Sequence, residues 1–380
     1  MTAPTSPSDA AGPGPADSVR PIIATSLAVT DRVRLRQRVD KSLAWFLADR
    51  RAWMAEVDSA LAPVADAIEG FVLRGGKRLR PAFGYWGFRG AGGHDSDQLV
   101  TALSALELVQ ASALIHDDLI DRSDTRRGEP AVHRRFAGRH RAHGWAGDAD
   151  GFGDSAAVLL GDLCLVWSDE LLHAGGLDPA ALSRARPVFD EMRTEVTIGQ
   201  YLDVLTQATG DTSVERAGKV ARLKSAKYTV ERPLLLGAAL AAAPAGVTDA
   251  YSGFGLPLGE AFQLRDDMLG VFGDPAQTGK PAGDDLREGK RTFLVAATFE
   301  AADEPGRRDL ERLLGSPDLD AEGIGHLREI IVGCGAAERT ERRIGALLDA
   351  ALSHIETAPI EDEARAALID LAHAATTRTD

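Results

Sequence analysis

Apolar positions recur at helical spacing along almost the whole chain. Residues 99–121, LVTALSALELVQASALIHDDLID, are apolar on nearly every face, which predicts a helix buried on all sides. The same pattern marks residues 156–172, 187–205, 213–243 and 258–272. Pro233 falls inside the fourth of these and predicts a kink, because it lacks an N–H and its ring crowds the preceding turn. No segment alternates apolar and polar residues long enough to predict a strand, and no nucleotide-type glycine loop follows one. The expected fold is all-α, a single domain over residues 29–380. Residues 1–28, rich in Pro, Gly, Ser and Ala, are expected to form a disordered tail.

Polar stretches interrupt this pattern at 138–155 and 273–290. The first, rich in Gly, Asp and His, is expected to be a surface insertion, with a mobile flap as the alternative. His133, His140 and His143 lack the spacing of a closed zinc site. The apolar runs are short and broken by charge, so no membrane span is expected. The start of the chain lacks the basic and apolar regions of a signal peptide. Cys164 and Cys334 make no disulfide framework, which points to a reducing cytoplasm. A net charge of −14 argues against generic binding to nucleic acid or anionic lipid, though not against a local basic pocket.

Candidate chemistry concentrates in HDDLIDRSDTRRG, residues 116–128. Asp117 and Asp121 are four apart and share one helix face, with Asp118 between them. A second apolar helix carries Asp266 and Asp267, with Gly270 where a third aspartate would repeat the first cluster and Asp274 beyond it. Two acidic clusters on facing helices form an oxygen-rich cage suited to Mg²⁺, completed by substrate phosphate and water. Cations flank both clusters: Lys77, Arg78 and Arg80; Arg126 and Arg127; Lys224 and Lys227; Lys280 and Lys290. Arg binds phosphate bidentately and Lys as a point charge, so the set suggests two polyanion pockets, one bridged through metal and one held by basic side chains alone.

GGKRLRP, HDDLIDRSDTRRGEPAVH, GQYLD, LKSAKY, FQLRDD and GDPAQTGKPAGDDLREGKRT, in this order over about residues 70–295, resemble the trans-isoprenyl diphosphate synthases, or polyprenyl synthetases. The resemblance is strongest to bacterial geranylgeranyl diphosphate synthases. It implies a homodimer of all-α bundles, each with mostly antiparallel helices around a central active-site cavity. It also implies head-to-tail condensation of isopentenyl diphosphate with an allylic diphosphate, and Mg²⁺, three ions per site. Asp117 and Asp121 resemble the first-motif metal ligands with Asp118 supporting them, and Asp266 the second-motif ligand with Asp267 beside it. Arg126, Lys224, Ser225, Gln263, Lys280 and Lys290 resemble contacts to the allylic diphosphate. Lys77, Arg80, Gln110 and Arg127 resemble the isopentenyl diphosphate site, and Gln200 and Asp203 the Gln and Asp of the middle helix. Gly270 departs from the pattern, and this bears only on the last second-motif carboxylate, which Asp274, Asp284 or Asp285 is expected to replace through water.

Chain growth is expected to run back along the first acidic helix. One turn rises about 5.4 Å, comparable to one isoprene unit. Ser112 and Ala113, one turn before Asp117, are small and admit a longer product than a bulky aromatic would. Val109 follows, and Trp167 on a neighbouring helix is expected to form the floor. These features imply mainly geranylgeranyl diphosphate. Alternatives are a class I terpene cyclase, which needs no second diphosphate pocket, and a non-catalytic regulatory subunit, which usually lacks one acidic motif. A head-to-head synthase lacks GGKRLRP.

Overall fold

The computed structural model describes residues 20–274 and 283–377, with side chains from residue 32 onward. The chain begins with α1 (Arg20–Val57), α2 (Ala62–Leu73), α3 (Leu79–Gly90) and α4 (Asp97–Ile120). A two-stranded hairpin, β1 (Thr125–Arg126) and β2 (Glu129–Pro130), leads into α5 (Val132–His143), α6 (Ala149–Ala174), α7 (Pro179–Thr209) and α8 (Val214–Ala221). A π-helical segment, Arg222–Glu231, continues into α9 (Arg232–Leu240) and then α10 (Ala245–Phe272). The rest is α11 (Asp284–Arg287), α12 (Phe293–Ala301), α13 (Glu304–Leu313), α14 (Ala321–Gly333), α15 (Ala336–Glu356) and α16 (Asp362–Thr376). The all-α expectation holds, with the short hairpin as an addition.

Burial around α4 sets the architecture. Ser96 caps it by accepting from Leu99 N, and Leu99, Leu103, Leu106, Leu108 and Ile115 are fully buried. By length and composition α4 alone among the described helices is apolar enough to cross a membrane, but 72% of its most apolar window is buried inside the protein, so it is a core helix. α6 packs along α4 in the opposite direction: Gly175 meets Gln98 and Ala102 at one end, and Gly161 meets His116 at the other. α7 runs back the way α4 does, and Gln200 reaches Asp117 across the gap between them. That gap is the cavity. A second apolar cluster, including Leu286, Leu294, Leu310, Leu327 and Ile331, joins the end of α10 to α11–α14.

Several expectations change. The 138–155 stretch is mostly helix: Gly144 ends α5 in the left-handed region, and Asp148 accepts from Asp150 N and Gly151 N to start α6. Of the expected tail, residues 1–19 lie outside the described residues, while α1 already begins at Arg20 with Pro21 in its first turn, where a missing N–H is tolerated. Around Pro233 the helix widens instead of simply kinking. The π-helical segment immediately precedes it, and Arg232 N still bonds to Lys227 O.

Candidate active site

The end of α4 supplies the first acidic wall. Asp117 Oδ1 accepts from Gln200 Nε2 at 3.0 Å and from Lys224 Nζ at 2.9 Å, and Lys224 Nζ also donates to Asp203 Oδ2 at 2.7 Å. Gly199 makes this convergence possible: a Cβ there would stand 2.5 Å from Lys224 N and push α7 off the π-helical segment. Burial alone would raise the Asp117 carboxyl, but Lys224, Lys290 and Arg126 outweigh it and hold it well below the usual range. Asp121 goes the other way. Burial, reinforced by Asp117, pushes it up to about 6 against the pull of Lys290.

Lys290 closes the opposite side. Its Nζ lies 2.9 Å from Asp121 Oδ2, 2.6 Å from Glu288 Oε2 and 3.8 Å from Asp285 Oδ1. Ser123 Oγ donates to Glu288 Oε1 at 2.8 Å, tying the loop after α4 to the end of α11. On α10, Gln263 Nε2 donates to the buried Asp267 Oδ1 at 2.8 Å. Burial pushes Asp267 up to about 8; the Gln263 bond opposes this, and Asp285 and Asp266 add to it.

The hairpin positions two guanidiniums. Arg127 and Gly128 both have positive φ, as a tight two-residue turn requires. Arg126 is thereby brought against Asp118, and Arg127 Nη1 donates to Arg74 O at 2.6 Å. Partial desolvation of its guanidinium, with Arg78 nearby, lowers the Arg127 pKa although the residue stays exposed, and an anion beside it would offset both effects. Arg80 Nη2 donates to Thr229 Oγ1 at 2.8 Å, its guanidinium lies 4.4 Å from the Tyr228 ring centre, and Tyr228 OH donates to Gln110 Oε1 at 2.7 Å.

These groups share one cavity of about 980 Å³ between α4, α7, the π-helical segment and α10. Asp117, Arg126, Arg127, Arg80, Gln110, Gln200, Asp203, Lys224, Ser225, Gln263, Asp266, Asp267 and Lys290 all line it. So do Val109, Ser112 and Ala113. Asp121 reaches the site through Lys290. Three expectations do not fit this wall. Lys77 is exposed and lies off it. Trp167 packs edge-on against Phe46, ring centres 6.2 Å apart, because it sits across α6 from Leu165; Leu165 and Arg193 line the cavity instead. Arg78 is a core ion pair, bonded to Glu107 at 2.6 Å, Asp40 at 2.8 Å and Val72 O at 2.8 Å. Lys280 lies outside the described residues.

Among the described residues no three His, Cys, Asp or Glu side chains are grouped to hold an ion unaided. The candidate ligands on the facing walls are carboxylates, and burial, reinforced by neighbouring carboxylates, raises Asp121 and Asp267. That fits a hard cation whose shell is completed by diphosphate and water.

The model of the polyprenyl synthetase family matches residues 62–331. The chain belongs to this family and is a prenyltransferase. This trans-isoprenyl diphosphate synthase resembles the geranylfarnesyl diphosphate synthase of Aeropyrum pernix, 32% identical over 79% of this chain and 89% of that one. It is also 32% identical to the (2E,6E)-farnesyl diphosphate synthase of Mycobacterium bovis, over 78% of each chain. A geranylgeranyl pyrophosphate synthase from Corynebacterium glutamicum, in complex with isoprenyl diphosphate and magnesium, superposes with a TM-score of 0.88 and 42% identity, covering 91% of this chain and 99% of its own.

Tyr228 and Glu288 were absent from the sequence-derived site. Tyr228 lies within LKSAKY, but only the fold shows it between Arg80 and Gln110. Glu288 had no signal beyond its place two residues before Lys290.

Proposed function

We propose that this synthase condenses isopentenyl diphosphate head-to-tail with an allylic diphosphate and releases mainly geranylgeranyl diphosphate. One observation carries the reading: a single cavity is lined by carboxylates of both acidic clusters and their cations, and also by Ala113, Ser112 and Val109, which lie one to two turns before Asp117 on α4.

Asp117, Asp121 and Asp266 would hold Mg²⁺, which supplies positive charge to the departing diphosphate, with three ions the expected number. Lys224 and Lys290 each touch carboxylates from more than one element, so they can exchange carboxylate oxygen for phosphate oxygen as the allylic substrate enters. Arg126, fixed by Asp118, adds a charge that needs no reorganisation. The allylic C–O bond then ionises. Arg80, Arg127 and Gln110 hold isopentenyl diphosphate so that its double bond attacks the cation, and the departing diphosphate takes the proton lost. Apolar walls keep out water that would quench the cation.

The exposed Leu159 and Val166 of α6, seven apart, and Ile198, Tyr201 and Leu205 of α7, at helical spacing, form apolar faces. We assign them to a second copy of the chain, which sedimentation would detect as a dimer. Both cysteines are free, in keeping with a cytoplasmic enzyme.

The test is to incubate purified protein with isopentenyl diphosphate and each allylic primer and measure product chain length. A product that stops at farnesyl diphosphate overturns the length assignment. Failure to consume isopentenyl diphosphate overturns the reaction.

A further inference from the structure

We infer that Asp285 supplies the carboxylate that Gly270 leaves out of the second acidic cluster. Gly270 lies one helical turn beyond Asp266 on the same face of α10, where the first cluster has Asp121 one turn beyond Asp117. A Cβ built on Gly270 would overlap Asp285 Oδ2 and Cγ. The Asp285 carboxylate therefore fills the volume that a side chain at 270 would take.

Asp285 arrives from a different element, the first turn of α11. Its side chain is 13% exposed, lines the cavity, and has Oδ1 3.8 Å from Lys290 Nζ. Like Asp266, it lies close enough to Asp267 to act on that carboxyl. The other candidates fare worse. Asp274 is exposed and off the cavity wall. Asp284 lines the wall, but Asp285 is the residue a Cβ at 270 would meet.

The second acidic wall is thus built from two helices. Its geometry depends on α11, which Ser123–Glu288 and Lys290–Asp121 tie to the first wall. A motif confined to α10 would not have this dependence. The two walls are coupled through the backbone of residues 284–290 as well as through any shared ion.

This inference rests on the Mg²⁺ reading of the same site. The experiment measures Mn²⁺ binding by electron paramagnetic resonance, with inorganic pyrophosphate as the anion, in five proteins: wild type, Asp117→Ala, Asp285→Asn, Gly270→Asp and the double variant Gly270→Asp/Asp285→Ala. Asp285→Asn keeps the shape and removes the charge; it should weaken binding about tenfold or more. Gly270→Asp alone should also weaken it, because two side chains then claim one space. The double variant should bind more tightly than either single variant. Wild-type affinity in Asp285→Asn, or a double variant no better than Asp285→Asn, overturns the inference while leaving the metal reading intact. Wild-type protein that binds no Mn²⁺, or Asp117→Ala binding as wild type does, overturns the metal reading and this inference with it.

Discussion

Arg126 Nε donates to both oxygens of Asp118, at 2.9 and 3.1 Å, and the Asp118 side chain is 1% exposed. Asp118 therefore acts as the counter-ion that fixes Arg126, although it sits in the sequence among the aspartates assigned to metal. Removing one partner of a buried ion pair strands the other charge at a cost of about 3–5 kcal/mol. Asp118→Ala should lose stability on that scale in urea unfolding. A loss below about 1 kcal/mol would show that Arg126 does not depend on it.

Product length should respond to α4 and not to Trp167. Ser112→Phe puts an aromatic ring on the cavity wall one turn from Asp117, and the product should shorten by at least one isoprene unit on reversed-phase chromatography. Trp167→Ala should leave product length unchanged and cost about 3–5 kcal/mol of stability, since Trp167 fills the core beside Phe46. A longer product from Trp167→Ala would restore it as the floor.

His133 should make the protein acid-sensitive. It is 2% exposed, and among the described residues neither ring nitrogen has a hydrogen-bond partner. Burial, with Arg134 nearby, lowers its pKa from 6.5. As pH falls, the unfolded chain takes up the proton first. The stability this residue confers is complete above 6.5 and is lost as pH falls through the lower folded value. His133→Leu should flatten the fall in melting temperature between about pH 7 and about pH 5. An unchanged slope would mean that another group carries the acid sensitivity.

Much of the fold was legible because helical periodicity is a local signal. The 99–121 pattern and α4 (Asp97–Ile120) nearly coincide. The acidic clusters were legible for the same reason, since Asp117 and Asp121 share a face of α4 by spacing alone. What escaped depends on contacts distant in sequence. Arg78, Lys77 and Arg80 look alike in GGKRLRP, yet Arg78 turns into the core to Glu107, Lys77 faces out, and Arg80 stacks on Tyr228. Trp167 and Leu165 are two positions apart on α6 and point to opposite sides of it; which side meets the cavity is set by packing against α1 and α4, which periodicity does not show. The π-helical register that aims Lys224 depends on packing against Gly199 and Gly259, which periodicity cannot show.

The most direct test of the two-substrate account is Mg²⁺-dependent incorporation of labelled isopentenyl diphosphate into an allylic product, comparing wild type with Asp117→Ala. The wild type should incorporate label with an allylic primer, and Asp117→Ala should fall by about three orders of magnitude or more while its circular dichroism and unfolding remain those of a folded protein. Near-wild-type incorporation by Asp117→Ala, or wild-type conversion of the allylic diphosphate to a cyclic hydrocarbon with no label taken up, would contradict it.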